Sequence, residues 1–249
     1  PSKEDKSIVL KNLALLEPLN IKTDDVDFKL AMDLDADEYI SPGLAEEINR
    51  KLSKIPIQTT GIVLPFRRVF LGKTIKRGTG GIKMLRIFRY KKAICEQRWM
   101  DEHIQILEGE TVEFEHYFSD DNLNNLSWWT QKHIGYAIRE AVDLLDIELN
   151  LLGQNPDILH LGEQAEVKRS KKLKYARQPL FWRSFAYFMY RYIFKLGFTE
   201  GKEGFLWHFL QGWWYRTLVD AKIWEIKKHC GNDVKKIKEY LRVNYSIQI

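Results

Sequence analysis

Apolar residues recur at helical spacing over 7–19, SIVLKNLALLEPL, and the pattern stops near Pro18, which disfavours helix just before it. FKLAMDL, 28–34, is a short apolar run that reads as a buried strand, and it leads into the acidic DADE. A turn at Ser41-Pro42-Gly43 precedes LAEEINRKLSKI, 44–55, whose pattern predicts an amphipathic helix with acids early and bases late, matching the macrodipole. Strands are predicted at 61–70 and 84–90, separated by the loop GKTIKRGTGG, with another near 111–117. Beyond Asp120 the period turns helical. One long helix is expected over 126–145, and aromatic ones over 180–196 and 205–228, with Gly197 and Gly201–Gly204 as breaks. The fold class is therefore α/β, a mixed sheet with flanking helices followed by an aromatic-rich helical C-terminal region, in two parts, 1–125 and 126–249.

Charge sharpens the division. Between Val167 and Thr199 there is no acid, while nine bases occur, so with a total of only +5 the remainder of the chain is net acidic. Sixteen of the 32 aromatic residues lie between Phe181 and Trp224. Arg183, Arg191 and Lys195 fall at i, i+8 and i+12, within roughly 120° of one helix face. Aromatic rings beside cations suit the headgroup boundary of an anionic membrane, and the alternative is an aromatic core with a solvated basic stripe. No nucleic-acid motif accompanies the basic stretch, so no nucleic acid is expected as a partner. The two cysteines, Cys95 and Cys230, form no CxxC pair, which argues against a disulfide scaffold and fits a reducing compartment. The first residues, PSKEDKSIVL, lack a signal-peptide run, and no stretch approaches the ~20 apolar residues of a bilayer span. A cytoplasmic, soluble or peripheral protein is expected.

The sharpest chemical signal is Asp33-Leu-Asp35-Ala-Asp37-Glu38 at the end of an apolar strand. Carboxylates at alternate positions can converge on a hard divalent cation such as Mg²⁺ or Mn²⁺, which keeps sites open for phosphate oxygens. A solvated acidic turn is the competing reading. Asp101-Glu102 could supply a general base to an acceptor hydroxyl. His116, in EFEHYF, could be a metal ligand or a structural histidine. Gly72-Lys73-Thr74 is no P-loop, because the required earlier glycine is Arg67. Lys73, Lys76, Arg77 and Lys83 in that loop could hold a phosphate or anionic acceptor, or form an ordinary basic loop.

Taken in order, LDADEYIS, FRRVFLGKTIKRGTGGIKMLRIFR, WMDEH and GKEGFLWHFLQGWWYRTLVDAKIWE resemble the family 2 glycosyltransferases, above all bacterial enzymes that extend lipopolysaccharide core, O-antigen or capsule precursors. The resemblance spans roughly 20–228. It implies a GT-A fold, a nucleotide-sugar donor (a UDP-sugar first among them), a divalent metal, and displacement with inversion. Asp35 and Asp37 match the DxD aspartates, with Asp35 towards the donor's ribose or sugar and Asp37 on the metal. Asp101-Glu102 stands where the family has the acidic pair containing the base, in reversed order, so both residues stay in play. His116 falls near a histidine often found after that pair, and 72–83 lies where related enzymes contact acceptor. A lipid-linked or lipopolysaccharide acceptor at the inner face of the plasma membrane follows from the same likeness. The nucleotide-binding part is expected to be shortened, as 34 residues precede Asp35. A non-catalytic membrane- or protein-binding module of the same ancestry is the alternative.

Overall fold

The computed structural model describes residues 30–35, 37–78, 81–95, 104–153, 170 and 173–249. The helix expected over 7–19 and the first residues of the 28–34 strand lie outside them. The chain divides into two compact units, the first containing the described residues up to Leu123 and the second those from Asn124 onward.

The first unit is built on a curled mixed sheet. Its centre is β3 (Thr59–Phe70), twelve residues rich in β-branched and aromatic side chains. Along one side β5 (Ile82–Arg89) runs antiparallel to it, and β1 (Leu30–Met32) pairs antiparallel with β5 at the edge. On the other side β3 has two parallel neighbours in succession, β8 (Glu110–Glu113) and then β9 (Phe118–Asp121). Val63 is the last residue paired with β8 and Phe66 the first paired with β9, so Pro65, which lacks an N–H, interrupts no ladder on that side. β2 (Glu38–Ile40) closes this side antiparallel to β9. The loop expected after Phe70 contains a short strand, β4 (Lys73–Ile75), folded back on β3 through Leu71 and Gly72, both at positive φ. A separate hairpin pairs β6 (Ala93–Cys95) with β7 (Ile104–Ile106).

Helix α1 (Pro42–Lys51) begins two residues earlier than the pattern suggests, because Ser41 caps it and Pro42 takes a first-turn position where no N–H is needed. The Ser41 hydroxyl accepts from the Leu44 N–H at 3.2 Å. The early start leaves no acid in the first turn, while Arg50 and Lys51 occupy the last. Leu44 and Ile48, one turn apart, pack into a core with Met32, Ile62, Leu64, Ile87, Phe114 and Phe118. All these strand residues belong to one face of the sheet, and Phe66 meets Phe118 edge-on across the parallel ladder.

The second unit is helical among its described residues. Helix α2 (Leu126–Leu149) is capped by Asn125 and stopped by Asn150 in the left-handed conformation. Helix α3 (Trp182–Met189) continues as a π-helical stretch, Tyr190–Phe194. After a 3₁₀ turn (Gly197–Glu200), α4 (Gly201–Trp207) runs through a second π-helical stretch, His208–Trp214, into α5 (Tyr215–Cys230). Gly197 and Gly201 bound the 3₁₀ turn that makes the expected break, while Gly204 lies inside α4. Gly201 opens the helix at φ 70°, and a Cβ on Gly204 would stand 2.1 Å from the Cβ of Glu200. Leu196, at φ 58°, starts that break. A last helix not foreseen from the sequence, α6 (Val234–Tyr245), starts at an Asp233 cap. Its Ile237 and Leu241 join Ala141, Leu145, Val219 and Ile226 in an aliphatic core between α2, α5 and α6.

Candidate functional site

The acidic loop stands where the two parallel strands β3 and β9 end. The Asp33 N–H donates to the Arg86 carbonyl at 2.9 Å, extending the β1–β5 ladder by one residue before the chain turns. The turn closes on itself: the Glu38 N–H reaches the Asp35 carbonyl at 3.0 Å, and the Asp35 N–H reaches a Glu38 carboxylate oxygen at 3.1 Å. Arg86, from β5, lies over Phe118 and pairs with both flanking acids, Glu38 at 2.6 Å and Asp33 at 3.5 Å. Beside it Arg68 pairs with Asp120 at 2.8 Å, and Asp120 sits directly opposite Glu38 in the β2–β9 ladder. The Asp121 N–H ties down the loop through the Asp37 carbonyl at 2.9 Å.

The four acids of the motif therefore separate into two pairs. Glu38, only 4% exposed at its side chain, and Asp33 belong to Arg86. Burial pushes both carboxyls above their usual range and Arg86 opposes that shift; the Asp35 charge adds to it at Asp33, while at Glu38 the Asp35 N–H also opposes it. Asp35 is exposed and Asp37 half-buried, and neither carboxylate makes an ion pair with the described residues. Among the described residues no three His, Cys, Asp or Glu side chains gather as a metal cage. Mg²⁺ and Mn²⁺ do not need one when a diphosphate supplies the remaining oxygens, and one or two carboxylates suffice. Asp35 and Asp37 fit that requirement.

His116 is engaged elsewhere. Its Nδ1 lies 2.9 Å from a carboxylate oxygen of Glu47 on α1, and the same carboxylate accepts from the backbone N–H groups of Glu115 and His116 and from Lys51. Glu47 is 1% exposed; burial works to raise its pKa, but these donors outweigh it and hold the carboxyl down to about 2. The ring lies against Gly43, where a Cβ would come within 2.3 Å of it. Among the described residues nothing joins His116 to the 33–38 loop.

The loop cations are dispersed. Lys73 forms part of β4 opposite Phe70, Lys76 and Arg77 are exposed beyond it, and Lys83 pairs with Glu113 across the sheet. Asp101 and Glu102 lie outside the described residues.

In the second unit, two of the three cations expected to face a membrane do not. Arg183 is buried against Asp220, which accepts from its Nε at 2.7 Å and from the Phe181 N–H at 2.8 Å. Arg191 is 2% exposed and donates to Gln211 at 2.6 Å. The physical reason for this correction is that each guanidinium finds its acceptor on the helix running from α4 into α5, 20 or more residues away. Lys195 alone of the three is exposed. Nearby, Glu140 of α2 accepts from Tyr215 at 2.6 Å and pairs with Arg216.

Arg86, Arg68, Glu47 and Asp220 organise these sites, and reading the sequence did not single them out. Their partners Glu38, Asp120, His116 and Arg183 stand 37 to 69 positions away, and no local pattern marks such pairs. Among the described residues no helix is long and apolar enough to cross a membrane. No family model, no curated protein and no solved structure matches this chain.

Proposed function

We propose that the chain is an inverting glycosyltransferase with a GT-A-like catalytic region, moving a sugar from a nucleotide-sugar donor to a hydroxyl of a lipid-linked or lipopolysaccharide-type acceptor in cell-envelope biosynthesis. One observation carries the reading: Asp35 and Asp37 are held on a turn clamped from both sides, yet their own carboxylates make no ion pair among the described residues. Arg86 neutralises the flanking acids, so the two central ones remain for an external cation. Their place beyond the ends of the parallel strands β3 and β9 is where open α/β sheets bind ligands.

When bound, Mg²⁺ or Mn²⁺ supplies charge neutralisation for a departing diphosphate. Asp37 would hold it, and Asp35 would accept from the donor's hydroxyls. The Asp101-Glu102 pair would take the proton from the acceptor hydroxyl. His116 precedes β9, at the end opposite Asp121, and its Nδ1 is held by Glu47, so in this proposal the metal would rest on the acidic loop alone. The protein would work at the inner, cytoplasmic face of the plasma membrane, where lipid-linked acceptors are reached.

Asp37→Asn is expected to lower sugar transfer from a UDP-sugar to acceptor-bearing membranes by about a thousandfold or more, because metal stabilisation of developing charge is worth several kcal/mol. Folding should be unchanged, as only the Asp37 carbonyl is used structurally. Transfer retained in Asp37→Asn would overturn the assignment. A second reading, a binding module without catalysis, has its own support: Asp33, Glu38 and Asp120 are already neutralised by Arg86 and Arg68. Metal-independent behaviour of both chains in the same assay would favour it.

A further inference from the structure

Burial of Arg183 and Arg191 changes which surface of the second unit is available. The stretch from α3 to α4 exposes rings instead of guanidinium groups. Trp182 is 71% exposed and Phe194 75%, with Phe185, Ile193, Phe198 and Phe205 exposed between and beside them. Four of them, Trp182, Phe185, Phe198 and Phe205, belong to one network of rings. Ring contacts run from Trp182 to Phe185 and Trp213, through Phe188 to Tyr192, and from Tyr192 to both Phe198 and Phe205. Phe205 and Phe209 then lead back to Trp213, closing the circuit. Two helical elements thus present exposed rings anchored on one shared aromatic network that runs inward through buried Phe188.

Leaving such a surface in water is unfavourable, since each fully buried Phe gains about 1.5–3 kcal/mol. Between 180 and 212 the fully exposed charged residues are Lys195 and Lys202 alone, both cations; Glu200 is buried and Glu203 half-buried. A two-fold pairing of copies through this face would offer these lysines no exposed acid from the same stretch of the second copy. An anionic lipid surface satisfies both features. Aromatic rings settle at the boundary between headgroups and acyl chains, while lysines reach outward to lipid phosphates.

We propose that the aromatic surface of α3 and α4 is a membrane-insertion face, and that the chain binds an anionic bilayer by seating Trp182, Phe194 and their neighbours in the interface with Lys195 and Lys202 on headgroups. This deepens the peripheral location proposed above and rests on it. It replaces attraction through a basic stripe by insertion of rings, so binding depends less on salt than nine bases would suggest.

Sedimentation with vesicles of phosphatidylcholine and phosphatidylglycerol tests it. The wild-type chain should co-sediment, with a blue shift of tryptophan emission, and a substantial fraction should stay bound at about 0.5 M salt, where surface charge is screened within a few ångströms. The Trp182→Ser/Phe194→Ser double variant should bind at least about tenfold more weakly, while keeping its urea midpoint because both side chains are exposed. Lys195→Gln/Lys202→Gln should weaken binding to anionic vesicles and leave the residual binding to phosphatidylcholine alone unchanged. Absence of co-sedimentation, or co-sedimentation unchanged in the Trp182/Phe194 variant, would overturn the proposal. So would a concentration-dependent dimer dissolved by that variant, which assigns the face to a second copy. Metal-dependent nucleotide binding measured on the same variants keeps the outcomes apart: its persistence beside lost vesicle binding leaves the transferase reading standing.

Discussion

Asp220→Ala is expected to destabilise the second unit by about 3–5 kcal/mol, the cost of leaving a buried charge without its partner. Asp220 is fully buried and accepts from the Arg183 side chain and from the Phe181 N–H that opens α3. Alanine there strands a guanidinium that is itself only 4% exposed and removes an anchor of the helix start. With urea slopes of about 1–3 kcal/mol per M, the midpoint should fall by about 2 M. Seven of the eight tryptophans, from Trp128 to Trp224, belong to this unit, so tryptophan fluorescence chiefly follows it. Asp220→Ala/Arg183→Met should recover more than half of the loss, because the orphaned charge is gone. A midpoint within about 0.3 M of wild type for Asp220→Ala would show that the pair is not buried in solution.

The second large effect is pH-dependent. His208 has no exposed surface, neither ring nitrogen has a hydrogen-bond partner among the described residues, and burial, helped by nearby Arg191, pushes its pKa down to about 4. An unfolded chain protonates this histidine near 6.5, whereas the folded one keeps it neutral. The unfolded state therefore binds more protons between these values, and stability falls as pH drops from 6.5 towards 4. The full contribution is about 3 kcal/mol, complete below pH 4. His208→Leu should flatten the wild-type decline over this window, and the difference between the two chains isolates the residue from other carboxyls. Glu47, held near 2, acts in a lower range, contributing above pH 4.5 and losing its effect as pH falls through 2. Parallel pH profiles for wild type and His208→Leu would mean that the ring is hydrated.

Local features were legible in the sequence, and long-range pairs were not. The turn at Ser41-Pro42-Gly43 announced a helix beyond it, and the strand-like segment 61–70 announced a strand, because both follow from neighbouring residues. The acidic turn was found for the same reason. What the sequence did not convey is its division of labour, since Arg86 reaches Glu38 from 48 positions away. Glu47 looked like one of two acids suiting a helix dipole, yet it is a buried acceptor for the 114–116 loop. The basic stripe misled most. Arg183 and Arg191 have helical spacing suited to a solvated face, and only the return of α4 and α5 alongside α3 supplies Asp220 and Gln211 to bury them. The π-helical stretches, which widen the turn around Arg191 and His208, leave no mark in a 3.6-residue period.

The central proposal is that Asp35 and Asp37 bind a nucleotide diphosphate through a divalent ion. A thermal-shift panel of UDP, GDP, dTDP and CMP, each with and without Mn²⁺, tests it most directly. A ligand specific to the folded state stabilises by about 2.7 kcal/mol at a hundredfold excess over its Kd. The expected result is a shift with one nucleotide, UDP first, that requires Mn²⁺ and vanishes in Asp37→Asn. No shift with any nucleotide, or a shift that persists unchanged in Asp37→Asn, would contradict it.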